Sequence, residues 1–161
     1  MGGSRSCHLT GLEQTQMTAT LHLLLDRDSV AAGDDVNSHQ EPLAVDSTAS
    51  VADVLRRIDV STYLPAIDGG KATWIFGIRL RPMRPEFDFQ STRLKRPLAI
   101  VAQQWEMPRL LVPPACLIAE YIEPDTRETL QFTYWAQADP TDVFNRLHAG
   151  QPPPSRWGGQ T

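Results

Sequence analysis

Reactive potential in this chain is concentrated in Pro152-Pro153-Pro154-Ser155-Arg156-Trp157-Gly158-Gly159-Gln160-Thr161. Three prolines stiffen the approach, Arg156 supplies a positive charge, and Gly158 and Gly159 carry no side chain. Glycine accepts nearly any φ/ψ, so an extended diglycine can pass through an active-site tunnel that excludes other residues. The same composition also describes an ordinary flexible chain end. Gly2-Gly3 and Gly69-Gly70 show that diglycine alone is not distinctive.

Other reactive side chains are scattered. A cysteine nucleophile needs a base or a helix N-terminus to lower its pKa, and Cys116 has only the distant His22, His39 and His148 to draw on. Between Pro113-Pro114-Ala115 and Leu117-Ile118 it reads as a buried strand cysteine. The histidines lack metal-ligand spacing and there is no Cys-x-x-Cys pair, so no metal, cofactor or catalytic residue is assigned. Gly69-Gly70-Lys71 lacks the first glycine and the hydroxyl residue of a phosphate loop and reads as a turn. Asp26, Asp28, Asp34 and Asp35 read as a solvated acidic loop. The basic stretch Arg79, Arg81, Arg84, Arg93, Lys95, Arg96 is either a solvated loop or a docking patch for an acidic partner. In the second case Arg81, Arg84, Arg93 and Arg96 bind, with Trp74, Phe87 and Phe89 as aromatic anchors.

The elements that must position these residues follow from periodicity and punctuation. Residues 1–16 read as a disordered leader, with Met17 directly ahead of a strand over 18–25. A polar turn region leads to a short strand over 41–46. Ser50 with Asp53 forms the pattern of a capping box, and Val51, Val54, Leu55 and Ile58 recur at helical spacing. Strands are expected over 72–80 and 97–104, separated by the basic loop 81–96. Residues 115–122 and 128–135 flank a Pro-Asp turn and predict a hairpin. Asp139-Pro140 opens a helix that Gly150 ends. The expectation is a domain over 17–104, an additional ββα unit over 105–150 (a second partial domain or an extension of the first), and a flexible tail over 151–161.

With 161 residues and 41% hydrophobic residues the chain is long enough for a real core. A net charge of −4 gives no basic footprint, which argues against nucleic acid as the main ligand. No apolar run is long enough to span a membrane, and the N-terminus lacks a signal-peptide pattern. Two cysteines make no framework, so reduced thiols in the cytoplasm are expected.

The first half resembles the β-grasp fold of ubiquitin. The run from Leu43 through Ser50 to Ile58 is similar to that family's junction of second strand and helix, and Arg156-Trp157-Gly158-Gly159 is similar to its Arg-x-Gly-Gly ending. Pattern agreement covers about half the chain. The longer first loop, the basic loop, the extra ββα unit and Trp157 depart from it. The setting most resembled is the bacterial operon encoding a ubiquitin-like protein with its own enzymes.

The resemblance implies an α+β, ubiquitin-like β-grasp protein that is a substrate of catalysis and not an enzyme. Its implied partners are an E1-like activating enzyme, an E2-like conjugating enzyme, a JAB-type or similar deconjugating peptidase, and target proteins. A peptidase would cut between Gly159 and Gln160, with Gly158 and Gly159 threaded through its site and Arg156 and Trp157 as the grip for a partner. The freed Gly159 carboxylate would then be adenylated with ATP, carried as a thioester and transferred to a target amine. Residues 151–159, extended like polyproline, would reach roughly 25–28 Å. The alternative is a β-grasp adaptor that is never conjugated, with the tail as a linker or docking peptide.

Overall fold

The computed structural model describes residues 18–31, 36–80, 94–123 and 128–156. The elements are β1 (Thr20–Arg27), β2 (Glu41–Asp46), α1 (Val51–Ile58), α2 (Val60–Tyr63), β3 (Thr73–Leu80), β4 (Arg96–Ala102), β5 (Arg109–Leu110), a 3-10 turn (Ile118–Glu120), β6 (Glu128–Tyr134) and α3 (Pro140–His148). They form an α+β protein around one mixed sheet of 6 strands, in the order β2-β1-β6-β3-β4-β5. Among the described strand pairs only β1 and β6 run parallel, with Leu24 opposite Thr129 and Arg27 opposite Phe132. The other pairs are antiparallel.

Alternation along the strands gives the sheet two apolar faces. Leu25, Val45, Trp74, Phe76, Ile78, Leu130 and Phe132 are buried in one cluster with Val51, Val54 and Leu55 of α1. The helix begins where the capping box places it. Asp53 N donates to Ser50 Oγ at 3.1 Å, and Ser50 N donates to Asp53 Oδ2 at 3.0 Å. It ends at Asp59, whose φ of 51° is left-handed, a conformation Asp tolerates better than most residues. The second face is narrower: Ile75 and Ile100 meet Val143 of α3, flanked by Trp105, Trp135, Phe144 and Leu147.

The strand expected over 115–122 does not form. Two prolines remove backbone donors just before it, and α1 claims the polar groups that follow. Val51 N donates to the Cys116 carbonyl (3.1 Å) and Ile118 N to the Ala49 carbonyl (2.9 Å). The apolar run thus buries Cys116 and Ile118 beside the start of α1, and Ile118–Glu120 closes as a 3-10 turn. β6 consequently has no hairpin partner there and inserts between β1 and β3. The expected reduced thiol at Cys116 is also corrected, because its sulfur is disulfide-bonded. Cys7 lies outside the described residues. Among those described, no helix is long and apolar enough to cross a membrane.

Candidate functional site

The C-terminal segment meets the body at a dock built from the ends of β1 and β6. After Tyr134 the chain leaves the sheet at Trp135, whose N–H donates to the Thr73 carbonyl at 2.8 Å. Ala136 follows with φ 53°. Asp139 then caps α3, its side chain accepting from Thr141 N, with Pro140 at the start of the helix. That opening has the form expected from the residues: Pro loses no hydrogen bond at the first helical position.

The other end of α3 turns the chain back. Gly150 N donates to the Leu147 carbonyl (3.1 Å) and Gln151 N to the Arg146 carbonyl (2.8 Å), with Gly150 at φ 73°. This 5→2 and 6→1 pairing is a Schellman motif, and it requires a left-handed residue where Gly150 stands. Pro152–Pro154 then run back toward the start of α3. Trp135 Nε1 donates to the Pro154 carbonyl at 2.8 Å. The Arg156 guanidinium lies 4.5 Å from the centre of the Trp135 ring, and its Nη2 is 3.9 Å from Asp28 Oδ2.

Asp28 is shaped for this position. Its Oδ2 accepts from Tyr134 N and its Oδ1 from Gln131 Nε2, both at 3.0 Å. Burial pushes its carboxyl above the ordinary carboxylate range, partly opposed by the Tyr134 N–H and then by the Arg156 charge. Beside the docked segment is an open groove of ≈ 540 Å³, lined by Tyr134, Gln137, Asp139 and Asp142 and closed by Pro154 and Arg156.

Magnitudes set the strength of the dock. A net hydrogen bond contributes about 1 kcal/mol and a partly exposed cation–π contact about 0.5–1 kcal/mol. The ion pair is long and its side chains are 33% and 27% exposed, so screening leaves it under about 0.5 kcal/mol. The prolines are already stiff, so the entropy lost on docking falls mainly on Ser155 and Arg156. The hydrogen bond and the cation–π contact together contribute about 1.5–2 kcal/mol, the same order as the cost of ordering those two residues, so the dock is shallow and readily released.

The other sequence candidates are dispersed. Arg81, Arg84, Arg93, Trp157, Gly158, Gly159 and Gln160 lie outside the described residues. Arg96 is held on the body, its guanidinium 4.8 Å from the Tyr121 ring centre. Lys95 pairs with Glu123 at 2.9 Å and Glu128 at 2.7 Å. His22 is exposed, His39 shares a 3.2 Å hydrogen bond with Ser29, and His148 stacks on Phe144. None of these contacts joins a histidine to Cys116. No group of three or more metal-ligating side chains occurs among the described residues. Sequence reading missed Trp135 and Asp28 as partners of Arg156. The available signal was a polar-tipped aromatic at a strand end with a stiff basic segment 17–21 residues further on. Searches of protein-family models, curated proteins and solved structures match this chain to none.

Proposed function

We propose that this protein is a ubiquitin-like modifier with a β-grasp core, cut after Gly159 and conjugated through that glycine to target amines. The observation that carries the reading is the parallel pairing of β1 with β6 beside the β1–β2 hairpin, with α1 packed across one face. A β-grasp joins its first and last core strands in this way. In this reading β1, β2, α1, β3, β4 and β6 make the core, while β5 and α3 are additions. A peptidase, an activating enzyme and a conjugating enzyme would act in turn on the C-terminal residues.

Docking of residues 152–156 favours a second reading, a β-grasp adaptor whose tail is a structural strap and is never conjugated. Intact mass after co-expression with the genes that neighbour its own separates the two. Loss of Gln160-Thr161, with higher-mass adducts that vanish in Gly159→Ala, is expected of the modifier. A single full-length species alongside active partner enzymes would leave the adaptor.

A further inference from the structure

We infer that the Trp135–Asp28 dock is an arginine-reading surface that latches this chain's own C-terminal segment, with Arg156 as the handle. The Pro154 carbonyl accepts from the Trp135 indole at 2.8 Å. Two residues later the Arg156 guanidinium covers the same ring at 4.5 Å and faces Asp28. Both faces of recognition are therefore present: an aromatic plane with a carboxylate at its edge for the guanidinium, and an indole donor for the backbone before it. The Schellman turn at Gly150 fixes where the segment starts. Pro152–Pro154 then act as a strut of set length, so the handle lands at one place and not along a range.

A guanidinium stacked on Trp135 cannot at the same moment occupy a partner's acidic or aromatic pocket. A partner that grips Arg156 must first withdraw residues 152–156, and withdrawal leaves Trp135 and Asp28 uncovered. Latching and partner capture are thus exclusive uses of one side chain. The coupling to partner enzymes rests on the modifier reading; the latch itself does not.

The latch is tested on the full chain by exchange of the Trp135 indole N–H with solvent, followed by NMR. The wild type should exchange measurably more slowly than a free indole, because the hydrogen bond to the Pro154 carbonyl must open first. Arg156→Gln, outside every helix and strand, should remove most of that protection. Asp28→Asn, which removes the charge and keeps one of the two acceptor oxygens that Tyr134 N and Gln131 Nε2 use, should remove a smaller part. Free-indole exchange in the wild type, or unchanged protection in Arg156→Gln, would overturn the latch.

Coupling is read by intact mass in the co-expression described above. Trp135→Leu breaks the latch and keeps the handle, so removal of Gln160-Thr161 should speed up severalfold. Arg156→Gln loses both and should slow it. Asp28→Asn serves where Trp135→Leu fails to fold, and should also speed it. Equal processing of all variants would overturn the coupling. No processing in any variant, with indole protection intact, would remove the modifier reading while the latch stands.

Discussion

The Trp135 indole donates its hydrogen bond to the Pro154 carbonyl, 19 residues later in the chain. Helix α3 lies between them, so the contact closes a loop around that helix and holds it on the sheet. A chain ending at Gln151 should lose at most about 2 kcal/mol of stability, the hydrogen bond and the cation–π contact together before the entropy of ordering the segment is offset. Urea denaturation of the two chains reads the difference, which should appear as a lower midpoint with little change in slope.

Gly77 sits where the register between β3 and β4 shifts. A Cβ there would stand 2.2 Å from the Arg96 carbonyl oxygen, and backbone cannot swing aside as a side chain can. Gly77→Ala is therefore expected to destabilise by about 1–3 kcal/mol or more, as overpacking does. A thermal midpoint equal to that of the wild type would show that β4 can shift without loss.

The α1 capping box predicts both a mutational and an acid response. Ser50→Ala removes the acceptor for Asp53 N and should cost about 1 kcal/mol. The Ser50 hydroxyl, and next its backbone N–H, hold the Asp53 carboxyl below its ordinary value. A carboxylate with a lowered folded-state pKa contributes stability above its unfolded pKa and loses it as pH falls through the folded one. The Asp53 contribution should thus be present at neutral pH and fade on acidification below about pH 4. Denaturation of Asp53→Asn across this range should give a flatter curve than the wild type.

Lys95 and Glu128 should behave as a coupled pair. The Glu128 side chain is 2% exposed and accepts from Lys95 at 2.7 Å and from Glu123 N at 2.8 Å. Hydrogen bonds from Lys95 to Glu128 and then to Glu123 raise the lysine pKa. Lys95→Met strands a shielded carboxylate, so it should destabilise more than Lys95→Met combined with Glu128→Gln. Additive losses in a double-mutant cycle would show that the two side chains act independently.

Much of the local architecture is legible from short-range spacing. Ser50 and Asp53 identify the start of α1, and Asp139-Pro140 and Gly150 bound α3, because caps involve partners within one or two turns of chain. Apolar alternation likewise reveals β1, β2, β3, β4 and β6. The run 115–122 misleads for a related reason: a short apolar stretch has the same pattern whether it pairs in a sheet or packs beside a helix end. In this protein Ala49 and Val51 take its hydrogen bonds. Helix α2 and strand β5 have 4 and 2 residues, too few for periodicity to register.

Spacing along the chain shows that Trp135, Asp28 and Arg156 exist and that the last of them follows a stiff proline run. That they meet depends on β6 entering between β1 and β3, which brings Asp28 beside Tyr134 across more than a hundred residues. It depends as well on Gly150 reversing the chain and on α3 being long enough to return Pro154 to Trp135. Contacts of this kind are chosen by packing and loop closure across the whole chain, which no local pattern encodes.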